Sequence, residues 1–550
     1  MRYAIGIDDF KQLRTSLDDT GTPLFYCDKS LFIRDVIRDG SAVLLLPRPR
    51  RFGKSLNLSM LKYFMGSEEP LFDGLAIEQY PEILAGWRGK FPVVMLGFKG
   101  LKADTFENLQ ASLKTCILDC FEQFAYLSDS KELSDLQHRK LAPFLNGSLD
   151  AIQLTNSLKY LTEFLEKHHG QKVWVLIDEY DTPLQHAYLN GFFPEAVALF
   201  KQVLGAVLKS NTSLYKAVIT GITRISKESL FSDLNNIRVY DITQNAYANY
   251  FGFTEEEVEA VCPSEHLSEL KSWYNGYSFG KNRLTIYNPW SVLNFLSNDF
   301  DLKPYWINTS GNDLIQDCLT ADKLPDVHKL IQRESIGIPL EPYTVMSDLR
   351  ENAYSFWNLL FISGYLTLDA EGKMMIPNRE VTYFFEKTVT AWFGGRQKER
   401  FLNELLEDLI WGNALELQSK LQQLILETLS FHDVTERKQE SFYHGFLLGM
   451  TLGLRGRYIV KSNRESGYGR YDLGLYPLNP QKDPGILIEV KMGLEASAGL
   501  EQIEEKAYYQ DLQTAGCSKI QTYSIAFDGK RVSSLYACKG SDRVLHPLQS

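Results

Sequence analysis

The length, composition and charge of the chain exclude several classes of protein. The chain has 550 residues, of which 44% are hydrophobic and 23% charged, and its formal net charge is -11. This length predicts two to four domains, and the composition excludes a disordered chain. The acidic balance excludes a basic protein that wraps nucleic acid, so any such contact requires a local basic patch.

The cysteines and the apolar stretches predict a cytoplasmic protein. The seven cysteines are scattered, odd in number and without C-x-x-C spacing, which favours a reducing compartment and argues against disulfides or a zinc cluster. Charged residues interrupt each apolar stretch before the length that a membrane helix requires, so we expect no membrane association. Residues 1–14 are amphipathic and lack the basic segment followed by an apolar run that is typical of a secretion signal.

Residues 1–240 alternate short apolar runs with longer helical patterns, which is typical of a parallel α/β sheet. Four candidate strands are short, continuous and rich in Val, Ile or Leu, as strands buried on both faces should be. These strands are Ala42–Leu46, Pro92–Phe98, Val173–Ile177 and Tyr215–Thr220. We therefore predict an α/β domain over residues 1–240.

The first candidate strand leads into a loop that predicts a phosphate-binding site. Residues 48–55 read Arg-Pro-Arg-Arg-Phe-Gly-Lys-Ser, and a helical pattern follows. Backbone N–H groups around Gly53 would bind phosphate oxygens, Lys54 would reach the terminal phosphates of ATP, and Ser55 would hold Mg²⁺. Arg48 replaces the first glycine of the G-x-x-x-x-G-K-[ST] pattern. The alternative is a basic turn that caps an ordinary helix.

Acids follow the third candidate strand, where burial makes a carboxylate costly without a metal or partner. We predict that Asp178 binds Mg²⁺ and Glu179 activates the attacking water, while Asp181 is a helix cap or turn residue. The alternative is that these acids merely end a strand. After the fourth strand, Arg224 is a candidate for contacting the nucleotide, in its own subunit or across a homo-oligomer. A surface arginine is the alternative.

The rest of the chain divides into a middle region and a C-terminal part. Residues 241–400 are mixed, mainly helical and dense in aromatic residues, and Thr254–Glu257 is a capping box that predicts a helix start. Residues 401–550 comprise a helical connector, from the pattern over Arg400–Leu429, and a final domain. From about Val434 the pattern predicts helix, strand, hairpin, strand, helix and strand.

Three polar residues lie in two apolar segments of the C-terminal part. Asp472 lies in the first segment, Glu489 and Lys491 lie in the second, and the turn-like run 477–484 predicts a hairpin. Strand alternation places Glu489 and Lys491 on one face. Two carboxylates on adjoining strands predict a site for Mg²⁺ or Mn²⁺, where Lys491 would orient a water or stabilise the phosphorane. The alternative is a solvated hairpin with a structural ion pair.

Two further features accompany these residues. Glu440 and His444 are four residues apart in a predicted helix, so both project from one face and are placed to complete the site. Gln502 and Lys506 form a second such pair on the following helix. The segment Arg455–Arg470 is basic with interleaved tyrosines, which suits contacts to phosphates and stacking on a base.

Several strings of residues, in a fixed order along nearly the whole chain, carry a resemblance to a known family. They are Phe25–Phe32, Arg48–Ser55, Ile177–Asp181, Trp273–Tyr277, Tyr287–Trp290, Tyr305–Ser310, Phe442–Gly445, Ser462–Arg470 and Glu489–Lys491. Together they resemble a bacterial family with an AAA-ATPase-like N-terminal domain and a PD-(D/E)XK nuclease-superfamily domain. That family typically has an R-P-R-R-F-G-K string in place of the first glycine, as this chain has.

The resemblance implies an α/β multidomain fold. A P-loop ATPase domain with a parallel sheet would occupy residues 1–240, the mainly helical middle region 241–400, and the helical connector plus a restriction-endonuclease-like PD-(D/E)XK domain 401–550. The resemblance also implies two sets of site residues. They are Gly53, Lys54, Ser55 and Asp178 for ATP, and Glu440, Asp472, Glu489 and Lys491 for the nuclease fold. Arg51, in the same loop, is a further candidate for contacting the nucleotide.

The leading hypothesis is an ATPase fused to a metal-dependent nuclease that cleaves DNA under ATP control, with defence against foreign DNA as a conjecture from the domain pairing. The first alternative is a signalling or remodelling ATPase whose nuclease fold only binds nucleic acid. The second is a scaffold that holds nucleotide statically, and the presence of Glu179 argues against it because a static binder needs no water-activating base.

Overall fold

A computed structural model describes most of the chain. The described residues are 2–223, 236–307, 313–320, 323–341, 349, 352–392, 396–428, 439–466, 469–493, 496–529, 531–541 and 544–547. The prediction for Arg224 lies outside them. Glu440 lies in a described helix, but its side chain is not among the described ones.

Helices and strands alternate through the first 240 residues. In chain order they are α1 (Phe10–Thr15), α2 (Leu31–Arg38), β1 (Val43–Pro47), α3 (Lys54–Gly66), α4 (Pro81–Trp87), β2 (Val93–Gly97), α5 (Phe106–Glu122), α6 (Asp135–Asn146), α7 (Ala151–His169), β3 (Val173–Asp178), α8 (Thr182–Leu189), α9 (Phe193–Leu208), β4 (Leu214–Gly221) and β5 (Ile237–Val239).

The middle of the chain has shorter elements. They are α10 (Glu255–Glu259), α11 (Ser264–Tyr274), β6 (Tyr277–Phe279), β7 (Leu284–Ile286), α12 (Pro289–Ser297), α13 (Asp313–Cys318), α14 (Leu324–Ile331), α15 (Ala353–Ile362), β8 (Thr367–Leu368), β9 (Met374–Met375) and α16 (Arg379–Trp392).

The C-terminal part begins with helices and continues with a mixed α/β pattern. Its elements are α17 (Arg396–Trp411), α18 (Ala414–Thr428), α19 (Gln439–Thr451), β10 (Tyr458–Ser466), β11 (Gly469–Pro477), β12 (Gly485–Met492), α20 (Ser497–Glu505), α21 (Gln510–Thr514), β13 (Ile520–Asp528), β14 (Arg531–Ser541) and β15 (Val544–Pro547). In the part of the chain that the structure describes, no helix is long and apolar enough to span a membrane.

These elements form two compact units. The first unit comprises Met1–Leu314 and Gly337–Val381, and the second comprises Ile315–Ile336 and Thr382–Ser550. The middle region therefore contributes to both units. The three-part division at residues 240 and 400 stays a prediction.

The first unit contains the predicted parallel sheet. Its five strands run in the order β2-β3-β4-β1-β5, and every neighbouring pair is parallel. All residues of β1 and β3 are buried, as expected for strands covered by helices on both faces. Because the strands are parallel, their carboxyl ends meet at one edge of the sheet. Asp178 and Gly221 are the last residues of β3 and β4 at that edge.

The rest of the first unit is anchored by buried polar groups as well as by aromatic packing. The capping box predicted at Thr254 is present at the start of α10, with reciprocal bonds between Thr254 and Glu257. The buried Glu380 carboxylate accepts hydrogen bonds from Ser291 Oγ at 2.7 Å and Trp306 N at 2.6 Å. Burial raises the pKa of Glu380 to about 8. This one side chain thus connects Trp306, in one of the strings that carry the family resemblance, to Ser291, the residue that follows another of them.

The second unit is built on a mixed six-stranded sheet in the order β10-β11-β12-β13-β14-β15. The hairpin predicted around residues 477–484 is present, with β11 antiparallel to β12, and β12 is parallel to β13. Helix α19 contacts β12, and α20 contacts both β12 and β13. The helical connector consists of two helices, α17 and α18, because the chain turns at Gly412, whose φ is 83°. The unit therefore has the α/β pattern predicted for the C-terminal part.

Candidate active sites

The loop between β1 and α3 has the geometry of a phosphate-binding loop. Gly53 adopts φ 82° immediately before α3, and a Cβ at this position would meet no heavy atom within 4 Å. The backbone therefore approaches open space at a helix N-terminus, where N–H groups and the helix dipole favour an anion. Lys54 is buried, and its ammonium donates hydrogen bonds to the carbonyl oxygens of Arg48 at 3.1 Å and Pro49 at 2.8 Å.

Arg48 explains how the loop is held without its first glycine. The side chain is fully buried, and its guanidinium donates to the carbonyl oxygens of Pro47 at 2.8 Å and Tyr240 at 2.6 Å. Its Cζ lies 4.9 Å from the centre of the Phe251 ring. Burial lowers the pKa of Arg48 to about 10. The side chain therefore points into the core and anchors the base of the loop.

Arg51 is predicted to contact the nucleotide, and in the structure it packs against an aromatic ring. Its φ is 66°, and its guanidinium carbon stacks 4.2 Å from the centre of the Trp290 ring. Burial lowers the pKa of Arg51, and the negative charge of Glu179 opposes that shift. Arg51 is therefore at the rim of the loop, beside an indole that the sequence marked only as part of a family string.

The structure brings together Ser55 and Asp178, as the sequence predicted. Asp178 Oδ2 accepts a hydrogen bond from Ser55 Oγ, and Asp178 Oδ1 accepts one from Thr220 Oγ1, both at 2.5 Å. The carboxylate is 8% exposed, so these two hydroxyls supply its nearest polar partners in place of water. The result is a cluster of hard oxygen atoms beside Lys54, the type of donor that Mg²⁺ prefers.

Glu179 has an unusual backbone and electrostatic setting. Its φ is 52°, a left-handed conformation that is rare for a residue with a side chain. Burial raises the pKa of Glu179, the charges of Asp178 and Asp181 add to the shift, and Lys54 opposes it. A carboxylate with a raised pKa beside the phosphate-binding loop is well suited to accept a proton from water.

Asp181 lies in a turn at the start of α8, as the sequence predicted, and its side chain has a further role. Asp181 occupies the N-cap position of α8, but its side chain makes no capping bond. The buried carboxylate accepts from Ile222 N, Thr223 N and Thr223 Oγ1 at 3.1, 2.8 and 2.6 Å. Gln185 Nε2 also donates to Asp181 at 2.9 Å. Asp181 therefore holds the segment that follows β4, because unbonded buried N–H groups there would be costly.

Asp472 and Glu489 lie beside each other in the second unit. The β11–β12 pairing ends at Leu473 and Ile488, and beyond it Asp472 Oδ2 accepts from Val490 N at 2.7 Å. Glu489 Oε2 accepts from Asp472 N at 3.4 Å. The two carboxylates thus separate the strands just past the last ladder pair. Their adjacency agrees with the geometry that the sequence predicted.

Lys491 is bonded to Glu489, its neighbour on the same strand face. Lys491 Nζ donates to Glu489 Oε1 at 3.0 Å and to Gln502 Oε1 at 2.7 Å. Glu489 is 3% exposed. Burial and the charge of Asp472 raise the pKa of Glu489 to about 7, although Lys491 opposes the shift. One ammonium therefore does not balance the two neighbouring carboxylates.

His444 approaches this site through the backbone. His444 Nε2 lies 3.1 Å from the Asp472 carbonyl oxygen and 3.1 Å from Ser462 Oγ. The imidazole is 6% exposed. His444 therefore contacts the main chain of Asp472 rather than its carboxylate. Glu440 lies one turn earlier in α19.

Comparison with known families identifies one domain in each unit. Residues 4–231 match a family described as a predicted AAA-ATPase, and residues 438–536 match the PD-(D/E)XK nuclease superfamily. The chain combines an AAA-ATPase-like domain with a PD-(D/E)XK nuclease-superfamily domain. A protein of Azotobacter chroococcum mcd 1, described as "Uncharacterized protein in vnfD 5'region", is 28% identical over 377 residues. The match covers 67% of this chain and 64% of that protein.

The AAA-ATPase-like domain has the donor set that Mg²⁺ and a nucleotide phosphate require. Ser55, Thr220 and Asp178 provide three clustered oxygen donors, and Lys54 provides a buried cation whose present acceptors are two backbone carbonyls. Thr220 was not among the predicted residues. Its signal was available only as a polar residue at the end of an apolar strand, and its proximity to Asp178 depends on β3 and β4 being neighbours.

The nuclease-superfamily domain offers a smaller donor set. Asp472 and Glu489 supply carboxylate oxygens with incomplete charge compensation, which a divalent cation would complete. Among the described side chains, no group of three or more His, Cys, Asp and Glu residues is arranged to hold a metal ion. The two acids therefore fit a divalent ion that takes its remaining ligands from water or from a substrate phosphate.

Proposed function

We propose that this protein is an ATPase coupled to a metal-dependent nuclease that cleaves DNA under the control of ATP. The observation that carries the proposal is that each domain has its acids and its lysine assembled at one place. A role in defence against foreign DNA is part of the proposal only through the pairing of these two domains. Cytoplasmic location is proposed from the cysteine content.

In the ATPase reaction, residues of the loop bind and Glu179 moves the proton. Lys54 exchanges its two carbonyl acceptors for oxygens of the terminal phosphates. Ser55 and Asp178 would hold Mg²⁺, which would neutralise negative charge on those phosphates. Water attacks the terminal phosphorus, Glu179 accepts the proton of that water, and ADP leaves. The raised pKa of Glu179 suits this transfer.

In the nuclease reaction, Lys491 orients the attacking water or stabilises negative charge on the phosphate. Asp472 and Glu489 would hold Mg²⁺ or Mn²⁺, which supplies a bound water of lowered pKa and neutralises the scissile phosphate. Gln502 accepts a hydrogen bond from Lys491 and keeps the ammonium beside Glu489. The oxygen of the attacking water forms a new bond to phosphorus, and the P–O bond to the leaving oxygen of the DNA strand breaks. The proton released by the water ends on that leaving oxygen.

One observation favours a second candidate function. Lys491 and Glu489 already form an ion pair, and a structural pair of this kind needs no metal. In that case the second domain binds nucleic acid without cutting it, and the protein is a signalling or remodelling ATPase. The two candidates share the ATPase reaction and differ only in cleavage.

The test compares wild type with Lys54→Ala and Lys491→Ala. Each protein is incubated with plasmid and single-stranded DNA, with Mg²⁺ or Mn²⁺, and with or without ATP, while cleavage and phosphate release are followed. We expect Lys54→Ala to lower ATP turnover, and Lys491→Ala to lower cleavage, each by about 100-fold or more because a transition-state contact is lost. Lys62→Ala in α3 and the exposed Lys519→Ala serve as matched controls.

The outcomes separate the two functions. Cleavage that depends on Lys491, and that responds to ATP only when Lys54 is present, supports the coupled nuclease. Phosphate release from wild type while all DNA stays intact under both metals would favour the ATPase with a binding domain. A wild-type protein that neither releases phosphate nor cuts DNA would contradict both.

A further inference from the structure

A groove in the second unit is the strongest unassigned feature of the molecule. Its volume is about 810 Å³, and it lies between α14, whose residues come from the middle region, and strand β10. We refer to it as the α14–β10 groove, and the residues that matter for its chemistry are Lys329, Glu334, Arg455, Ile459, Lys461 and Leu478. It adjoins the candidate nuclease site but contains none of its predicted catalytic residues.

Helix α14 forms a fixed wall of the groove. Strand β10 is an edge strand of the six-stranded sheet, and the side-chain amide of Gln332, just after α14, donates to the Val460 carbonyl oxygen on that strand. His328 is 3% exposed and lies 3.5 Å from Gln332. Gln332 therefore occupies one carbonyl oxygen of this edge strand, while α14 itself packs against α19. A segment far from the nuclease domain in sequence thus completes its surface.

The charge of the groove favours an anion. Its lining includes the cations Lys329, Arg455 and Lys461, against one acid, Glu334. Lys329 is half-exposed and pairs with Asp326. The ammonium of Lys461 lies 3.9 Å from the centre of the Tyr476 ring. Lys329 and Arg455 have acid partners that lie outside the lining, Asp326 and Glu386, so the groove presents their cations to a ligand without a large net charge. Cations that line a groove in this way are the groups that contact phosphates.

Two contacts fix the position of Arg455, one of these cations. Arg455 forms an ion pair with Glu386 and donates a hydrogen bond to the Ile331 carbonyl oxygen at 3.3 Å. Its side chain is 45% exposed. Arg455 is therefore held against the end of α14 while part of it stays open to the groove. A fixed arginine can bind a phosphate with little loss of side-chain entropy.

Apolar surface accompanies the cations. Ile459 is 50% exposed and Leu478 is 57% exposed, and both line the groove. Exposed apolar side chains next to cations suit a ligand that has aromatic faces as well as phosphates. In duplex DNA the faces of the bases are stacked on one another, whereas a single strand can turn its bases toward a protein. The exposed apolar side chains of the groove therefore favour single-stranded over duplex nucleic acid.

One residue that lines the groove is linked by hydrogen bonds to the candidate nuclease site. Ser462 lines the groove, and its hydroxyl lies 3.1 Å from His444 Nε2, which in turn lies 3.1 Å from the Asp472 carbonyl oxygen. Ser462 is also paired with Leu473, the residue after Asp472, across the β10–β11 ladder. A strand that occupies the groove would therefore have a neighbouring phosphate close to the acids.

We propose that the α14–β10 groove binds a single-stranded nucleic-acid segment and guides it to Asp472 and Glu489. The phosphates contact Lys329, Arg455 and Lys461. The bases lie against Ile459 and Leu478. This inference rests on the proposed nuclease function and deepens it, because it names the strandedness of the substrate and gives a part of the middle region a role in binding.

The test measures binding to the full-length protein by fluorescence anisotropy in EDTA, which prevents cleavage. The probe is fluorescein-labelled dT12, and a 12-base-pair duplex is the comparison. We expect the duplex to bind about tenfold more weakly than dT12, and Lys329→Glu and Lys461→Glu each to weaken dT12 binding about tenfold. Each variant should also reduce the slope of log Kd against log salt by about 0.7, the value for one phosphate contact in a single strand.

The controls separate this groove from general electrostatic attraction. Lys519→Glu changes the same charge at an exposed site of the same unit outside the groove, and we expect its Kd to stay close to that of wild type. Replacing both Ile459 and Leu478 with Ser should weaken dT12 binding and leave duplex binding unchanged. Equal thermal midpoints for all variants would show that the folds are intact, as expected for exposed side chains.

Failure of this inference can be told apart from failure of the proposed function. If wild type cuts DNA with Lys491 required, but Lys329→Glu and Lys461→Glu bind dT12 as wild type does, the groove inference is wrong and the nuclease stands. Equal affinity for duplex and dT12 would also overturn it. If wild type neither binds nor cuts DNA, the proposed nuclease falls and the groove inference falls with it.

Discussion

The P-loop site and the nuclease-fold site both place acids and a lysine at strand ends, yet the lysines have different partners. Lys54 donates to two backbone carbonyls, while the nearby Asp178 is bonded to the hydroxyls of Ser55 and Thr220. In the second unit, Lys491 is bonded to the acid Glu489 itself. The first lysine keeps its charge for an incoming anion, whereas the second shares its charge with a carboxylate.

This difference indicates which kind of ligand would suit each site. A lysine with only neutral acceptors is completed by a phosphate, because the phosphate replaces the carbonyls as a stronger partner. Two adjacent carboxylates with one ammonium are completed by a cation. The pKa of Glu489 is raised to about 7, so without a nearby cation its carboxyl group keeps a proton up to near neutral pH. A bound metal ion would replace that proton.

The largest expected effect concerns Glu179 in the P-loop site. Glu179→Gln removes the proton acceptor but keeps the size of the side chain, so we expect ATP turnover to fall by about 100- to 10,000-fold with ATP affinity little changed. Steady-state phosphate release and equilibrium binding of a labelled ATP analogue measure the two quantities. In wild type, turnover should rise with pH through the raised pKa of Glu179.

Glu195→Gln is the matched control for this prediction. Glu195 is exposed in the first turn of α9 and makes no contact with the loop among the described hydrogen bonds. Its turnover should equal that of wild type. If Glu179→Gln kept the turnover of wild type, another group would accept the proton, and the role proposed for Glu179 would be wrong.

The second prediction uses pH to probe the nuclease-fold site. Without metal, the folded protein binds an extra proton at Glu489 between pH 4.5 and about 7, because its pKa is raised from 4.5 to about 7 by folding. The free energy of unfolding should therefore fall as pH rises through this window, by up to about 3 kcal/mol. Glu489→Gln cannot titrate, so its stability should lose this dependence.

Binding of Mg²⁺ at Glu489 should have the opposite pH dependence and stabilise the fold more as pH rises. Because Mg²⁺ competes with the proton, its stabilising effect on wild type should grow from pH 5 to pH 7.5. Urea denaturation at a series of pH values, with EDTA or Mg²⁺, measures both effects. If Glu489→Gln kept the full pH dependence, or if Mg²⁺ stabilised it as it does wild type, the assignment of Glu489 as the proton- and metal-binding group would be wrong.

Local patterns were sufficient to predict much of both sites. The four strands were predicted to within a residue or two of their observed ends, for example Val173–Ile177 against Val173–Asp178. The proximity of Glu489 and Lys491 followed from the two-residue period of a strand. The approach of Asp178 to Ser55 followed from the resemblance to P-loop proteins, and the hydrogen bond between them agrees with it.

Contacts between distant segments could not be predicted in the same way. Thr220 reaches Asp178 only because β4 lies between β3 and β1, and no local pattern specifies that order. The bonds from Asp181 to the backbone after β4 depend on the same pairing. Likewise, nothing in the sequence of α14 indicates that it packs against α19, or that Gln332 just after it bonds to β10, because both contacts join distant segments of the chain.

The smallest expected effect tests that neighbour relation at Gly221, the last residue of β4. A Cβ at Gly221 would lie 2.6 Å from the Tyr180 ring and 2.7 Å from Asp181 Oδ1. These atoms are buried and bonded, so they cannot move away freely, and Gly221→Ala should lower the free energy of unfolding by about 1–3 kcal/mol.

Gly97→Ala, at the end of β2, is the matched control. It adds a Cβ that meets nothing within 4 Å and should change stability by less than about 0.5 kcal/mol. Urea denaturation of the two variants gives the comparison. An equal, small effect of both would mean that Tyr180 and Asp181 yield easily, and the close packing of β3 against β4 would then be unable to fix Asp178 for its ligand.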